Sequence, residues 1–255
     1  MTSLFEDGRF LVLFLVVMLR YLILAAAAFV IFYKVKRHVW RYKKIQLRFP
    51  QRRDYIREIL YSIITAIIFA LVGYLIFMTP FRSFTKLYTQ LNEYGMGYFF
   101  FSIILMLLIH DTYFYWAHRA MHHSKLFAIF HRVHHLSTNP SPWAAFAFHP
   151  LESVVEAGII LVLALVMPVH AYSIALFLLI MMIYNVYGHL GYELYPKGFT
   201  KTWLGKWVNT SVNHNQHHQS FKGNYGLYFL WWDRWMGTIR MDYDQTFEEI
   251  KSRKG

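Results

Sequence analysis

The chain has 255 residues, 56% of them hydrophobic and 20% aromatic, with a positive mean hydropathy of +0.29 and a formal net charge of +12. A soluble domain carries about 45–50% apolar residues, so this excess, gathered into long uncharged runs, excludes a water-soluble globule. The absence of cysteine excludes disulfides, thiolate metal sites and a Cys-ligated iron–sulfur cluster.

A strongly basic chain suits nucleic acid or anionic lipid. Here the charge flanks apolar spans, which points to lipid headgroups and to no nucleic-acid partner. The first span is Phe10 to Tyr33, interrupted only by Arg20. A mid-span Arg costs roughly 2.5–3.5 kcal/mol on insertion scales, so it is expected to face other helices. A cleaved signal peptide is the alternative, but the leading MTSLFEDGR is not clearly basic and no strong cleavage site follows.

Lys34 to Arg57 carries ten Lys/Arg and one Asp, and the positive-inside rule makes this segment cytoplasmic. Ile59 to Met78 is a second span, ended by Thr79-Pro80. The loop Phe81 to Tyr94, with only Arg82 and Lys86 as cations, fits the outer side. Gly95 to Ile109 is a third span that runs into His110, and with no Gly or Pro to interrupt it the helix is predicted to continue to about His123. STNPSPW (137–143) reads as a loop. Val154 to Met167 and Ala171 to Tyr187 are apolar segments around Pro168, forming either a spanning or a re-entrant hairpin. Either choice returns the chain to the cytoplasm, where the basic segment Tyr195 to Gly255 lies. The expectation is a single all-α domain over 1–255. It is a polytopic membrane bundle of about four to five spans with a cytoplasmic, histidine-lined di-metal cap.

That cap rests on the histidines. Seven of the fourteen lie between His110 and His135, and three more in His214 to His218. Residues three and four apart are neighbours on a helix face. His118 and His122 therefore project together, as do His131, His134 and His135, and likewise His214, His217 and His218, each cluster offering imidazole to a common point. Imidazole suits zinc, iron, copper and nickel. A lone histidine such as His38 or His170 is ordinarily a satisfied structural residue. Three such clusters are not, because desolvating so many titratable rings without a ligand is costly.

Several pieces together resemble the fatty acid hydroxylase/sterol desaturase superfamily of membrane-bound, histidine-rich di-iron enzymes. They are His110-Asp111, Tyr115-Trp116, His118-Arg119, His122, Phe130 to His135, Ala147 to Glu152, His189 to Glu193, His214 to His218 and Asn224 to Thr238. The likeness covers residues 110–238. It implies a lipid oxygenase that uses O2 and external electrons to hydroxylate a fatty acyl or sterol C–H bond, with desaturation of the same lipid class as the alternative. The His189 to Glu193 piece is similar to sterol C4-methyl oxidases and sterol hydroxylases, and the tail to C5-desaturase-like members, so no subfamily is chosen.

Carried over residue by residue, the resemblance implies metal ligation by His118, His122, His131, His134, His135, His189, His214, His217 and His218. His110, His149 and Glu193 are ligands or neighbours that orient ligands, and Asp111 and Asn185 are candidates for the same orienting role; His123 is a bystander. Tyr113, Phe114, Trp143, Tyr187 and Trp231 are candidates to line the substrate. Two iron ions are the implied cofactor, with zinc or another divalent ion able to occupy the same donors in a purified sample. Electrons would come from a ferredoxin or a cytochrome b5 type donor, and the basic surface suits an acidic partner. A non-catalytic metal- or haem-binding membrane protein is the competing class. Haem needs only one or two axial histidines, and a transporter places its ligands at the bilayer midplane.

Overall fold

The computed structural model describes residues 8–254; the leading residues weighed as part of a signal peptide lie outside that range up to Asp7. α1 (Arg9–Phe29) continues through a wider π turn (Val30–Val35), and α2 (Arg52–Met78) runs back beside it. α2 starts on a reciprocal cap: the Gln51 N–H donates to Asp54 (2.9 Å), and it ends where Thr79-Pro80 cannot extend it. α3 spans Gly95–Met121, with His122 capping it, close to the predicted end. α6 (Pro150–Val166) and α7 (Ala171–Gly188) form the hairpin around Pro168.

The four segments Arg9–Val35, Arg52–Met78, Gly95–Met121 and Ala171–Gly188 are long and apolar enough to cross a membrane. α6 is one residue shorter than α7, 17 against 18, and the depth of the hairpin is settled by its tip. There β2 (Val169–His170) pairs in parallel with β1 (Leu87–Tyr88) of the α2–α3 connection, Leu87 opposite Val169. The hairpin therefore runs as far from the cap as the ends of α2 and α3, about 25–27 Å at 1.5 Å per residue.

At the other end lie the C-termini of α3 and α7 and the N-termini of α2 and α6. The cap there is built from α4 (Ser124–Phe130), α5 (Arg132–His135), α8 (Ser211–Ser220), α9 (Trp231–Trp235) and α10 (Tyr243–Lys251). The basic segment between α1 and α2 is stitched into it. Ile45 N donates to Gly191 O (3.0 Å), Glu193 N to Lys43 O (2.9 Å) and Arg253 to Lys44 O (2.6 Å). The Lys44 side chain is fully buried, its Nζ 4.8–5.1 Å from the ring centres of Tyr33, Phe49 and Tyr192, a cation–π cage that joins α1, the basic segment and the cap.

Burial pushes the Lys44 ammonium down from 10.5 to about 7. Between those values the unfolded chain keeps a proton that the folded chain has lost, so stability rises with pH there. Lys44→Met is expected to remove that rise, read as a flattened thermal-unfolding curve from about pH 7 to about pH 10.

Candidate metal centre

Nine histidines converge at the cap, in two groups whose donor atoms lie within 4.8 Å of one another. The first holds His118, His122, His131, His135 and His217; the second holds His134, His189, His214 and His218. The expectation that each cluster of sequence neighbours meets at one point is corrected, because helix geometry splits two of the three. Residues four apart share a face, while one three apart is swung about 60° off it. On α5, His131 and His135 therefore face the first group and His134 the second. On α8, His214 and His218 face the second and His217 the first. His118 and His122, four apart at the end of α3, stay together, and His189 joins from just past α7.

Within the groups, Nε2 atoms approach to about hydrogen-bond length: His118–His131 at 2.9 Å, His135–His217 at 3.0 Å, His214–His189 at 3.0 Å and His218–His214 at 3.2 Å. The other ring nitrogens decide what this means. Nδ1 lies 2.9 Å from the Tyr225 carbonyl in His118, 2.8 Å from the Gly223 carbonyl in His217 and 2.8 Å from the Asn185 carbonyl in His189. In His131 it lies 2.6 Å from the Glu152 carboxylate. The carbonyls can only accept, so Nδ1 of His118, His217 and His189 carries the hydrogen and their Nε2 is left with a lone pair; an ionised Glu152 holds His131 the same way. His118 and His131 then point two lone pairs at each other with no hydrogen to share. A cation between them resolves the conflict, and metal–nitrogen bonds of about 2.0–2.2 Å set neighbouring donors about 3 Å apart. The all-nitrogen donor set fits iron and equally fits zinc.

The rings are held neutral. Burial first, and then the neighbouring imidazoles, push His131, His134, His214, His217 and His218 well below their usual value. His135 falls to about 3 and His189 to about 4. Neutral imidazole is the form that binds metal.

The remaining candidates stand outside both groups. His110 pairs through Nδ1 with the Tyr228 hydroxyl at 2.9 Å, and His149 caps α6 by accepting from Leu151 N at 3.3 Å. His123 caps α4, and His170 is satisfied by Thr89 O at 3.0 Å, in keeping with their structural reading. Glu193 stands outside both groups: its carboxylate accepts from Val212 N (3.1 Å), Tyr195 N (2.9 Å) and Tyr187 OH (2.9 Å), fixing the start of α8. Asp111 receives the Tyr228 and Phe229 N–H groups at 2.8 and 3.1 Å and touches no ligand imidazole. Asn185 holds the His189 ring through its main-chain carbonyl, and its side-chain amide donates to Ala145 O at 2.8 Å.

Sequence reasoning gave no role to Glu152, the buried carboxylate that grips His131. Its signal was an acid in the first turn after His149-Pro150, but nothing local names its partner. The 221–240 loop was also missed as a source of ligand acceptors. Asp233 accepts from Tyr225 N (2.9 Å), Gly226 N (2.7 Å) and Thr238 Oγ1 (2.7 Å), while Asn224 donates to Asn213 O (3.0 Å) and accepts from Arg240 N (2.9 Å). This aims the Gly223 and Tyr225 carbonyls at His217 and His118. Gly223 is required in its left-handed conformation (φ 75°).

Between α1, α2, α6 and α7 lies a cavity of about 640 Å³ with mostly apolar walls. It reaches Phe148, whose ring centre is 5.1 Å from that of His134. None of Tyr113, Phe114, Trp143, Tyr187 and Trp231 lines it. Each is engaged in packing or bonding instead: Tyr113 donates to Val155 O (2.6 Å), Phe114 packs on His118, Trp143 on Tyr21, Tyr187 bonds Glu193 and Trp231 packs on Phe229.

The fold and site together define an all-α, polytopic membrane protein with two all-histidine groups, each able to hold a metal ion, beside a mostly apolar cavity. The family model described as fatty acid hydroxylase matches residues 103–238, more than half of the chain, and the chain belongs to that family. It is 32% identical over 164 residues to Delta(7)-sterol 5(6)-desaturase ERG3B of Gibberella zeae, covering 64% of this chain and 49% of the relative. It is 29% identical over 186 residues to lathosterol oxidase of Homo sapiens, covering 72% and 60%. With Delta(7)-sterol 5(6)-desaturase erg32 of Schizosaccharomyces pombe it shares 31% over 179 residues, covering 70% and 52%. The chain thus spans about half to three-fifths of these relatives' length. No solved structure matches. The superfamily resemblance is borne out, and these names agree with the tail piece rather than with His189 to Glu193.

His217→Ala in the first group and His134→Ala in the second are each expected to abolish activity and lower bound metal by about one ion per chain, counted by elemental analysis. His38→Ala, exposed and remote, should change neither. Glu152→Ala, which leaves all nine ligands in place, is expected to cost about 10–100-fold in metal affinity or activity.

Proposed function

We propose that this protein is a non-haem di-iron membrane oxidoreductase that uses O2 and external electrons to desaturate a sterol-like lipid. Hydroxylation of the same lipid class, the first expectation from sequence, is the second reading. The observation that carries the proposal is the pair of neutral imidazole groups directly over a cavity of about 640 Å³. Desaturation is favoured over hydroxylation by the names of the sterol desaturase relatives.

Two irons bound by the nine imidazoles would supply O2 reduction and removal of hydrogen from an unactivated C–H bond. The chain does the rest. Glu152 and the Gly223, Tyr225 and Asn185 carbonyls hold the rings in one tautomer and orientation. The cap buries the groups and keeps bulk water from them. The cavity walls hold a lipid chain, with Phe148 between it and His134. A haem or carrier reading is disfavoured by five-ring and four-ring groups placed at helix ends rather than inside spans.

The cap and the segment rich in Lys and Arg share one end of the bundle, which supports a cytoplasmic site and C-terminus by the positive-inside rule. Lys34, Lys36, Arg37, Arg41 and Arg48 are exposed there, a surface suited to an acidic ferredoxin or cytochrome b5 type donor. We read the whole chain as one domain.

Lipid extracts of cells with and without the protein, compared by mass spectrometry, test the chemistry. A product lighter by two hydrogens is the expected outcome. A product heavier by one oxygen selects hydroxylation instead, and no change in any lipid contradicts both.

A further inference from the structure

Two sequence motifs meet beside the first histidine group: Tyr115-Trp116 near the end of α3, and the tail piece from Asn224 to Thr238. Their rings form a file that runs from that group to the surface. Tyr225 lies against three of the histidines, its ring centre 5.6 Å from His118, 5.2 Å from His122 and 5.6 Å from His217. Tyr115 follows at 6.3 Å, Trp232 is stacked on Tyr115 at 5.9 Å, and Trp235 meets Trp232 at 5.5 Å. Each step is an ordinary aromatic contact. Trp235, at the far end, is 62% exposed.

Phe, Tyr and Trp pack alike but differ in redox chemistry: phenol and indole yield an electron to a strong oxidant, and a benzyl ring does not. Among the described residues, the other non-histidine rings against the two groups are all Phe: Phe114, Phe127, Phe148 and Phe221. Tyr225 is the one oxidisable ring in contact with either group, and it opens onto a line of oxidisable rings.

Tyr115 is also placed to pass on its proton. Its hydroxyl lies 2.9 Å from Thr238 Oγ1, and Arg119 Nη1 donates to it at 3.1 Å. The Thr238 hydroxyl gives its own hydrogen to Asp233 Oδ1 at 2.7 Å, so Tyr115 is the donor to Thr238. An electron leaving Tyr115 is therefore followed by a proton shift from Tyr115 to Thr238 and from Thr238 to Asp233, reversed when the electron is replaced. No charge stays on the phenol. Trp116 also touches Tyr115, at 5.3 Å, but the Arg119 guanidinium 5.7 Å from its centre disfavours a cationic indole there. That leaves Trp235 as the exit.

We infer that Tyr225, Tyr115, Trp232 and Trp235 form a conduit that discharges an oxidant made at the first histidine group when no lipid is in place, passing its oxidising equivalents one at a time to the surface. The inference rests on the iron-oxidant reading above and adds a second, self-protecting activity to it. Electrons move inward, one per passage, from Trp235 to iron held by the first group. A one-electron reductant such as a thiol refills Trp235. Without one, two passages and one water put an oxygen on the Trp235 indole and release two protons. Those two electrons and two protons reduce one hydrogen peroxide to two waters, so the sum is Trp235 plus peroxide giving hydroxytryptophan and one water.

The test treats the full chain, iron-loaded in phosphatidylcholine nanodiscs without reductant, with hydrogen peroxide, and maps added oxygen by peptide mass spectrometry. The zinc-loaded protein gives the background. Trp203 is the internal reference, because it is 81% exposed and touches no other ring among the described residues. Iron-dependent oxygen is expected on Trp235 in excess of Trp203, although Trp203 is the more exposed. Tyr115→Phe keeps the ring packing and removes the phenol; it should lose the excess at Trp235 while Trp203 and the iron content stay as in wild type. No iron-dependent oxygen on Trp235, equal labelling of Trp203 and Trp235, or undiminished labelling of Trp235 in Tyr115→Phe would each overturn the inference. Should Tyr115→Phe fail to fold, Trp232→Phe carries the same expectation and the wild-type comparison stands. A lipid product in cells with Trp203 labelled like Trp235 removes the conduit alone. Labelled Trp235 without any lipid product removes the lipid reading alone.

Discussion

The structure depends on one conflict being resolved: lone pairs of neutral imidazoles are pressed to about 3 Å from one another in a buried cap. Hydrogen bonding does not relieve it at His118 and His131, because their hydrogens are already committed to the Tyr225 carbonyl and Glu152. Positive charge does. Protonating the rings would supply charge of the wrong kind, adding repulsion between neighbours, and burial resists it. Metal ions would satisfy the donors without that repulsion, and the cap has the form of a counterpart to cations held through nitrogen alone.

The acceptors behind the rings come from three separate places, and each has its own support. Glu152 rides on α6, whose entry is set by His149 and Pro150. The Asn185 carbonyl belongs to the last turn of α7. The Gly223 and Tyr225 carbonyls sit in an irregular loop that Asp233, Asn224 and Thr238 help keep in place. Side chains far from any ligand in sequence thus decide where ligands point. The tail residues acquire a physical job here: Asp233 ties loop N–H groups and Asn224 ties that loop to α8.

Much of this was legible in the residues. Uncharged runs marked the four spans, the histidine spacing named eight of the nine members of the two groups, and the family resemblance added His189. What the sequence could not show was anything that requires two distant segments to meet. The i, i+3 and i, i+4 spacings were both read as bringing rings to one point, yet only the latter does so on α5 and α8. Glu193, four residues beyond His189, was implied by the resemblance to be a ligand or a neighbour that orients one. The chain turns at Gly191 (φ 71°), so no helical face carries it to the site. Substrate-lining aromatics were chosen for proximity to the motifs along the chain, and packing had already claimed them.

The sharing of α5 and α8 between both groups carries a mechanical corollary. α5 is one turn long and α8 fewer than three, and each presents one edge to one group and the adjacent edge to the other. A slip of α8 by a single residue, about 100° of rotation, would turn His214, His217 and His218 away together and strip both positions at once. The two centres are geared to a common pair of axles, so a lesion at either helix, however small, is a lesion in both.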